Sequence, residues 1–362
     1  MKNVLFILND LKGGGAERVF VNIANGFHQN NIPVSFLVGK KEGVYINLLN
    51  PTISIAETGS STFYSFLKSF PAIFKKQQYT HIFTASDYAS AAAILTKKLT
   101  GISAKIMVTH HYNLPANRAL KHWKGDWIAK LIHLFVFPGA DKIIAVSKGS
   151  LAWLRKHSNN NLNQAINIYN PVFDDSIYKQ ANESVNFPID TNGKIILVNA
   201  GRLEEQKDQL TLLTAFSILK KSNPAFVLFI LGDGPLQQQL ESSIDEHHLQ
   251  QDIFLMGFDS NPYKWMAACQ VFVSCSISEG FGNVLAEAMA LGKTIVSTDC
   301  PSGPAEILQN GALGYLCPVQ DPAALAATIL KAVNSPMDPS LLKAASQQYT
   351  IDEIVKQYIE IL

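Results

Sequence analysis

The segment 278–287 reads Ser278-Glu279-Gly280-Phe281-Gly282-Asn283-Val284-Leu285-Ala286-Glu287, with two carboxylates eight positions apart on either side of a Gly-x-Gly turn. The apolar run 270–275 before it predicts a buried strand, and the run 284–291 predicts a helix. A strand, a glycine turn and a helix together present backbone N–H groups and a positive helix end to an anion. A tight turn followed by a solvated helix glutamate is the alternative at this point.

Length and composition predict a globular protein of two domains. The chain has 362 residues, of which 47% are hydrophobic and 16% charged, so it is neither disordered nor limited to one ordinary core. Its four cysteines form no C-x-x-C pair, which favours a reduced, cytoplasmic setting over a zinc site or a disulfide framework. The N-terminal apolar run ends at Asn9 and Asp10, which predicts a first buried strand rather than a signal peptide. No apolar run approaches the ~20 residues that a membrane-spanning helix needs.

The net charge of +1 combines two halves of opposite charge. Residues 1–170 carry 19 lysines and arginines against 7 acidic residues, whereas residues 171–362 carry 11 against 22. A basic half is typical of a domain that faces an anionic partner, such as a membrane surface, a phosphate-bearing acceptor or nucleic acid. Mutual attraction between two oppositely charged domains is the alternative explanation.

Strand and helix patterns alternate twice along the chain, with a break between the two series. The first series opens with an apolar strand, the loop Gly13-Gly14-Gly15 and an amphipathic helix, which predicts a doubly wound parallel sheet. Residues 172–192, after Asn170-Pro171, have no clear periodicity and are predicted to be a linker. The predicted domains are residues 1–170 and 171–340, followed by a helical segment at 341–362.

Polar loops follow several predicted strands, at the edge where open α/β sheets bind ligands. Arg202 and Lys207 lie between a strand and a helix, and a guanidinium with an ammonium there suits a diphosphate. A solvated loop with internal salt bridges is the alternative.

The glycines at 13–15 lack the G-x-G-x-x-G spacing, which disfavours a dinucleotide site and leaves a flexible turn as the alternative. Asp233 has no D-x-D partner, which favours a structural or positioning role over a metal site.

Two histidines, His110 and His111, follow a predicted strand of the first half. Either side chain could bind sugar or phosphate oxygens or relay a proton. A hydrogen-bonded structural histidine is the alternative for each. In the second half, residues 299–306 again follow a strand and open a helix, which makes them a second candidate anion site.

Four motifs of the second half resemble those of the retaining glycosyltransferase family 4, in the same order and at similar spacing. They are Gly201-Arg202 with Lys207-Asp208, the Leu231–Pro235 turn, the Glu279 and Glu287 pair, and Gly303-Pro304-Ala305-Glu306. The first half matches more loosely, through the glycine loop and the strand-ending histidine. The resemblance covers essentially the whole chain. It implies the α/β GT-B fold, with two Rossmann-like, doubly wound parallel-sheet domains facing across a cleft and a final helix that crosses back to the first domain.

The resemblance implies that the second domain binds a nucleotide sugar and the first an acceptor. Arg202 and Lys207 would hold the diphosphate and neutralise the departing nucleotide. Glu279 would contact the hydroxyls of the transferred sugar, and Glu287 would accept hydrogen bonds from the ribose. The family needs no metal, which agrees with the missing D-x-D motif.

The other implied site residues lie around the donor. His111 is the choice for the family's cleft histidine because it lies further past its strand than His110. No carboxylate nucleophile stands out in the first half, so the resemblance favours same-face substitution, with the leaving phosphate assisting deprotonation of the acceptor. Gly14 and Gly15 are expected at the donor phosphate. Phe281, Gly282 and Asn283 are expected at the sugar and phosphate, and Gly257 and Phe258 at the base.

The acceptor is inferred from charge and from one amphipathic segment. Residues 117–137 mix basic and aromatic side chains, a pattern typical of an interfacial helix, with an ordinary domain helix as the alternative. With the basic first half, this favours a phosphate-bearing acceptor at an anionic membrane, and no nucleic acid. We therefore expect a cytoplasmic protein peripherally associated with the inner face of the cytoplasmic membrane.

The segment 299–306 resembles that of bacterial hexose and N-acetylhexosamine transferases, which favours a UDP-sugar as donor and no cofactor. The implied acceptor is a glycan or a polyprenyl-linked or other lipid-linked oligosaccharide, in polysaccharide, lipopolysaccharide or glycoprotein glycan synthesis. The alternatives are a GDP-mannose-dependent mannosyltransferase of the same fold, a UDP-sugar epimerase, and a non-catalytic nucleotide-sugar-binding protein.

Overall fold

The computed structural model describes residues 2–76, 78–111, 136–157 and 162–362. The described chain forms two compact units. The first contains the described residues up to Val172 together with Tyr349–Leu362, and the second contains Phe173–Gln348. Within these ranges, no helix combines the length and the apolar character that crossing a bilayer requires.

A seven-stranded, fully parallel sheet forms the centre of the first unit. Its strands are Val4–Leu8 (β1), Val34–Val38 (β2), Ser54–Glu57 (β3), His81–Thr84 (β4), Lys105–His110 (β5), Lys142–Ala145 (β6) and Ala165–Asn167 (β7). They are ordered β3-β2-β1-β4-β5-β6-β7, so the direction of winding reverses between β1 and β4. β1 and β2 are buried along their whole length, as expected for continuous apolar strands of a parallel sheet covered on both faces.

The helices of the first unit bury one apolar side each. They include Gly15–Gln29 (α1), Phe63–Lys76 (α2), Asp87–Thr100 (α3) and Lys148–His157 (α4), with a short 3₁₀ helix at Val44–Leu48. In α1, Val19, Phe20, Ile23 and Phe27 recur at helical spacing and are buried. α3 begins where the Ser86 side chain accepts the N–H of Ala89, and it ends at Gly101, whose φ is +67°.

The second unit has a six-stranded parallel sheet. Its strands are Ile195–Ala200 (β8), Phe226–Leu231 (β9), Ile253–Gly257 (β10), Val271–Ser274 (β11), Thr294–Thr298 (β12) and Tyr315–Cys317 (β13). Their order in the sheet is β10-β9-β8-β11-β12-β13. Winding reverses between β8 and β11. Its helices are Ser176–Ala181 (α5), Gln209–Ser222 (α6), Gln237–Glu246 (α7), Pro262–Ala268 (α8), Asn283–Ala290 (α9), Pro304–Ile307 (α10), Pro322–Asn334 (α11) and Pro339–Ser346 (α12). Short 3₁₀ helices lie at Glu205–Lys207, Gln309–Gly311 and Gln347–Tyr349. Two doubly wound parallel sheets, as expected from the sequence, are therefore present.

The last helix belongs to the first unit. Ile351–Glu360 (α13) packs on α1, and Ile354, Val355 and Tyr358 join the core around β1. The approach is close, because a Cβ at Gly26 of α1 would lie 2.5 Å from a methyl carbon of Val355. The expectation of a C-terminal helix that returns to the first domain is confirmed, whereas α12 packs on α9 of the second unit.

Two elements differ from the sequence expectations. The strand β3 was not predicted, because it lies at the sheet edge and none of its four residues is fully buried, so its apolar alternation is weak. The segment 172–192, expected to be a linker, contains the helix α5, which has six residues and buries Ile177 alone. So short a helix leaves no periodic pattern. The interfacial helix expected over 117–137 lies outside the described residues except at its end, where residues 136–139 are helical.

Candidate active site

Two loops of the second unit meet where its sheet order reverses: the loop after β8, which carries Gln206, and the loop after β11, which carries Ile277 and Ser278. β8 and β11 are neighbours in the sheet although β9 and β10 separate them along the chain. Open α/β sheets bind ligands beyond the carboxyl ends of the strands at such a switch point. Hydrogen bonds hold the two loops together, since the Ile277 N–H donates to the Gln206 carbonyl at 2.9 Å and Gln206 Nε2 donates to the Ser278 carbonyl at 2.8 Å.

Lys207 and Glu279 form an ion pair between these loops. Lys207 Nζ lies 2.5 Å from Glu279 Oε1, and the Ser276 hydroxyl donates to the same oxygen at 2.7 Å. The side chains of Glu279 and Lys207 are 9% and 20% exposed, so both charges are largely removed from water. Burial of a charge is tolerated when the charge is paired and hydrogen-bonded, and this pair meets both conditions. An ammonium has three donors, so Lys207 can hold Glu279 and a phosphate oxygen at once.

The backbone around Lys207 is held on both sides. The Lys207 N–H donates to the Glu204 carbonyl at 2.8 Å, and Cys275 Sγ donates to the Lys207 carbonyl at 3.0 Å. Asp208, which follows, has a left-handed backbone with φ of 50° and ψ of 43°. Such a conformation is uncommon for a residue other than glycine, although aspartate adopts it more readily than most residues do. Burial raises the pKa of the Asp208 carboxyl.

Arg202 has different contacts from Lys207. Its guanidinium pairs with Glu204 Oε1 at 2.9 Å, and its side chain is 64% exposed. The Arg202 carbonyl accepts a hydrogen bond from Gln209 Nε2 at 3.0 Å, which anchors the backbone to the start of α6. An exposed ion pair contributes little free energy, so a diphosphate can compete with Glu204 for the guanidinium.

The glycines of the Leu231–Pro235 turn allow two backbones to touch. A Cβ at Gly232 would lie 2.0 Å from the Gly201 carbonyl oxygen, and one at Gly234 would lie 2.2 Å from that of Leu203. The Leu203 N–H also donates to the Asp233 carbonyl at 2.9 Å. These glycines therefore set the path of the loop that carries Arg202 and Lys207.

The Gly-x-Gly turn at the start of α9 is packed in the same way. Gly282 has φ of +97° at the helix N-cap, and Phe281 before it is 2% exposed. Gly303 has φ of +75°, and a Cβ there would lie 2.0 Å from the Phe281 carbonyl oxygen. The loop that opens α10 thus lies against the turn that opens α9, next to Asn283.

Glu287 is buried on the same helix. Its side chain lies on α9, the residue is 5% exposed, and its Oε1 accepts a hydrogen bond from the hydroxyl of Tyr263 at 3.1 Å. Tyr263 lies on α8 and is 2% exposed. The alternative reading of Glu287 as a solvated helix residue is wrong, because the carboxylate is enclosed.

Phe258 projects from the end of β10 and is 54% exposed. Gly257, with φ of +71°, precedes it, and the Phe258 N–H donates to Asp233 Oδ1 at 3.0 Å. The Gly232 N–H donates to the Gly257 carbonyl at 2.8 Å. Asp233 therefore positions the backbone of the Phe258 loop. Among the described residues, no group of three or more potential metal-ligating side chains lies together.

The two histidines of the first unit have distinct surroundings. His110 ends β5, is 3% exposed and stacks on Trp153 at 5.9 Å between ring centroids. His111, one residue beyond the strand, is partly exposed and meets the ring of Phe20 edge-on at 6.0 Å. Desolvation lowers the pKa of His111 to about 4, so its ring is neutral at pH 7. Within the described structure, His111 Nε2 is buried with no hydrogen-bond partner.

The glycine loop of the first unit leads directly into a helix. Gly14 is the N-cap of α1 and Gly15 is its first residue. A Cβ at Gly14 would lie 2.0 Å from Glu17 Oε2, so the side chain of Glu17 folds back over the beginning of the helix. Gly13 has φ of +148° and open space around its Cβ position.

Two family models match successive parts of the chain. The model described as Glycosyltransferase Family 4 matches residues 13–175, and the model described as Glycosyl transferases group 1 matches residues 181–349. The chain belongs to the family 4 glycosyltransferases. The expectation drawn from the four motifs is therefore confirmed for the family.

Two curated relatives match this family 4 chain over part of its length. An N-acetylgalactosamine-N,N'-diacetylbacillosaminyl-diphospho-undecaprenol 4-alpha-N-acetylgalactosaminyltransferase of Campylobacter jejuni is 32% identical over 215 residues, 59% of this chain and 57% of the relative. An uncharacterized glycosyltransferase of Methanocaldococcus jannaschii is 31% identical over 197 residues, 53% of this chain and 48% of the relative. The match thus spans about half the length of these two relatives.

A solved structure matches the fold over the whole chain. The HepE protein of Anabaena, crystallised in complex with UDP and glucose, superimposes with a TM-score of 0.81 over 100% of this chain and 99% of the other, at 19% sequence identity. This similarity establishes the GT-B fold of the family 4 chain.

Contacts between the candidate residues fall into separate groups. Lys207 and Glu279 are in direct contact, whereas Arg202, Glu287 and Phe258 each have other partners. Two residues were missed from the sequence, Ser276 and Tyr263, whose hydroxyls bind the two glutamates. Ser276 lies between the predicted strand 270–275 and the segment 278–287, and a serine three positions before a glutamate is no signal by itself. Residues 112–135, including most of the expected interfacial helix, lie outside the described chain.

Proposed function

We propose that this family 4 chain transfers a hexose or N-acetylhexosamine, with retention of configuration, from a UDP-sugar to a glycan or lipid-linked acceptor. The buried Lys207–Glu279 ion pair, fixed by Ser276 at the switch point, carries the proposal. It places a cation suited to a diphosphate within hydrogen-bond distance of a carboxylate suited to sugar hydroxyls. A site built only for stability would gain little from this pair, because apolar side chains of similar size stabilise a core as well or better.

In the proposed reaction, the bond between C1 of the sugar and the diphosphate oxygen breaks as an acceptor oxygen bonds to C1 on the same face. The acceptor proton passes to an oxygen of the departing diphosphate. Lys207 and Arg202 neutralise the negative charge that develops on that diphosphate. Removal of one such preorganised charge contact costs about 3–4 kcal/mol in the transition state, by analogy with other charge-stabilising sites.

The remaining residues orient the donor. Glu279 accepts hydrogen bonds from the transferred sugar, and Glu287 accepts them from the ribose. His111 is neutral at pH 7 because of its lowered pKa, so it can hydrogen-bond a hydroxyl without adding charge. The backbone positions proposed to contact phosphate, sugar or base are Gly14, Gly15, Gly257, Phe258, Phe281, Gly282 and Asn283.

Donor class and acceptor class have separate support. The Anabaena structure of the same fold contains UDP and glucose, which supports a UDP-sugar. The Campylobacter relative is named for an acceptor built on diphospho-undecaprenol, which supports a lipid-linked phosphate-bearing acceptor. The 19 basic against 7 acidic residues in residues 1–170 fit an anionic membrane surface at which such an acceptor resides. We place the protein in the cytoplasm, at the inner face of the membrane, in envelope glycan synthesis.

Release of nucleotide from a donor panel tests the function. The chain is incubated with UDP-N-acetylglucosamine, UDP-N-acetylgalactosamine, UDP-glucose, UDP-galactose or GDP-mannose, with and without a synthetic polyprenyl diphosphate-linked saccharide. Release of UDP that requires the acceptor, with an α-linked product by NMR, supports the proposal. Acceptor-dependent release of GDP from GDP-mannose, with no release of UDP from the UDP-sugars, would favour a mannosyltransferase. Interconversion of UDP-sugars without acceptor would favour an epimerase, and binding without turnover a non-catalytic protein.

Two further properties are tested separately. Sedimentation with vesicles of phosphatidylglycerol and phosphatidylcholine at low salt tests the membrane proposal, and absence of binding there would remove it. Incubation with EDTA tests the expectation of metal independence. Unchanged turnover in EDTA supports that expectation, and loss that Mg²⁺ or Mn²⁺ restores contradicts it.

A further inference from the structure

We propose that Tyr263 is a positioning residue whose hydroxyl fixes the carboxylate of Glu287 and thereby sets how strongly the site distinguishes ribose from deoxyribose. This inference rests on the proposed function, in which Glu287 accepts hydrogen bonds from the ribose of the donor. It assigns a role in nucleotide recognition to a buried tyrosine of α8, a helix outside the four motifs of the family resemblance.

The contact itself lies in a water-excluded environment. The Tyr263 hydroxyl donates to Glu287 Oε1 at 3.1 Å, and the two residues are 2% and 5% exposed. A hydrogen bond to a carboxylate is worth more where water cannot compete for either partner. A carboxylate has about four lone-pair sites, so the bond from Tyr263 is compatible with further bonds from ribose hydroxyls.

Tyr263 is itself held by the beginning of α8. Asn261 caps this helix, and its Oδ1 accepts the N–H of Tyr263 at 3.2 Å. The Asn261 N–H in turn donates to Asp259 Oδ1 at 2.9 Å, and Asp259 Oδ2 accepts the indole N–H of Trp265 at 2.8 Å. Pro262 fixes φ at the first helical position. The turn before the helix therefore holds the backbone that carries the tyrosine hydroxyl.

The same turn begins at the position proposed for the base. Gly257 ends β10, Phe258 follows it, and Asp233 Oδ1 accepts the Phe258 N–H at 3.0 Å. One short segment, residues 257–263, thus carries the exposed Phe258 at one end and the support of Glu287 at the other. Base and ribose are covalently joined in a nucleoside. A single braced segment that serves both groups suits recognition of the nucleoside as a unit.

Fixing the glutamate matters because its side chain has several rotatable bonds. A carboxylate that is already in place loses less conformational entropy when the ribose binds, which raises affinity for the hydroxylated ligand alone. The change Tyr263→Phe removes the hydroxyl and keeps the ring that packs in the core. It should therefore reduce the preference for ribose more than it reduces affinity for the diphosphate and base.

Calorimetric titration of the full chain with UDP, 2′-deoxy-UDP and 3′-deoxy-UDP tests the inference. We expect the wild-type chain to bind UDP at least about tenfold more tightly than the deoxy nucleotides, since hydrogen bonds to a charged group are involved. Tyr263→Phe should lower the ratio of the Kd of a deoxy nucleotide to the Kd of UDP by about fivefold, which corresponds to loss of one net hydrogen bond. The ratio of two dissociation constants on one sample does not depend on the folded fraction, so partial unfolding of the variant cannot imitate the effect.

Matched variants separate positioning from general disturbance. Tyr315→Phe removes a hydroxyl that donates to the Ser335 carbonyl at the end of α11 and should leave the ratio unchanged. Glu287→Gln should remove most of the ribose preference, and Tyr263→Phe added to it should have no further effect. GDP and 2′-deoxy-GDP are titrated in parallel, because the alternative function is that of a GDP-mannose-dependent mannosyltransferase.

Each contrary outcome overturns a distinct claim. An unchanged ratio in Tyr263→Phe, with wild-type preference intact, overturns the positioning role. Equal affinity of the wild-type chain for UDP and its deoxy forms overturns the ribose role of Glu287 and the inference with it, yet leaves nucleotide binding standing. A wild-type chain that binds neither UDP nor GDP contradicts the proposed function itself.

Discussion

Lys207 and Glu279 lie 72 positions apart in the chain, yet the Nζ of one is 2.5 Å from the Oε1 of the other. They meet because β8 and β11, which precede their loops, are neighbours at the reversal of the sheet order. Each charge is paired with the other in a place with little access to water. In the proposed function, a diphosphate gains a cation whose position is already set, and a sugar gains a carboxylate held by Ser276.

Replacement of Lys207 should abolish most of the transfer. We expect Lys207→Ala to lower kcat/KM by roughly 100-fold or more, as for loss of one preorganised charge contact. The measurement is the steady-state rate of UDP release in the presence of acceptor. Lys220→Ala is the matched control, because Lys220 also pairs at 2.5 Å, with Asp252, at a similar 19% exposure in the same unit. Equal rates for the wild-type and Lys207→Ala chains would refute the role of Lys207.

The hydroxyl of Ser276 should matter through Glu279. Ser276→Ala removes a bond of 2.7 Å to a buried carboxylate, and bonds to charged groups contribute about 1.5–3 kcal/mol. We expect the KM of the donor to rise by about tenfold, with a smaller change in the Kd of UDP, which lacks the sugar. Ser346→Ala, which removes a buried hydroxyl bonded to the Lys343 carbonyl in α12, should change neither value. Equal loss of affinity for UDP and the donor would contradict an action through Glu279, the carboxylate proposed to bind the sugar.

The lowered pKa of His111 predicts a pH dependence of stability. The folded pKa is about 4 and the ordinary value is 6.5, so the unfolded chain binds the proton first as the pH falls. Stability from this group is therefore present above about pH 6.5 and is lost as the pH falls towards about 4. We expect His111→Gln to flatten this part of the curve of unfolding free energy against pH and to slow transfer.

His81 is a control for that experiment. Burial also lowers the pKa of His81 to about 4, helped by the nearby Lys105, but His81 begins β4 at the amino end of the strand. His81→Gln should flatten the stability curve in the same pH range without slowing transfer. If both variants slow transfer equally, the effect of His111 is structural.

Close backbone contact at the Leu231–Pro235 turn predicts a large cost for a small side chain. In Gly232→Ala, the added Cβ would face the Gly201 carbonyl oxygen at 2.0 Å in a backbone with φ of +131°. Gly193→Ala shares a positive φ, +70°, but has open space around its Cβ. We expect Gly193→Ala to cost about 1 kcal/mol of unfolding free energy, and Gly232→Ala to cost about 2–3 kcal/mol more. Urea denaturation measures both, and equal losses would show that the backbones can separate at little cost.

Long apolar strands and glycine turns made most of the fold predictable from the sequence. The strand expected over 270–275 and the helix expected over 284–291 agree with β11 and α9 to within one residue at each end, because a continuous apolar run and the Gly282-Asn283 pair mark them. β3 escaped prediction because an edge strand with half-exposed residues has no strong alternation. α5 escaped because a helix of six residues with one buried side chain has no period to detect.

The charged part of the candidate site was predictable, and the residues that support it were not. Glu279 stands out because it borders a Gly-x-Gly turn between a strand and a helix, and Lys207 stands out because it lies with Arg202 in another such loop. Ser276 and Tyr263 gain their roles from contacts across the sheet or between helices, which depend on side-chain geometry. The enclosure of Glu287 likewise follows from packing between α8 and α9, and the helical pattern of α9 alone does not reveal it.

The central claim is tested most directly by calorimetric titration of the wild-type, Lys207→Ala and Glu279→Gln chains. Each chain is titrated with UDP and with the UDP-sugar that the wild-type chain binds best. If Lys207 holds the diphosphate and Glu279 the sugar, Lys207→Ala weakens UDP and the UDP-sugar alike, by about tenfold or more. Glu279→Gln then weakens the UDP-sugar but binds UDP at least as tightly as the wild-type chain, because Lys207 loses a competing partner. Equal weakening of both ligands by Glu279→Gln, or no effect of Lys207→Ala on UDP, would contradict the account.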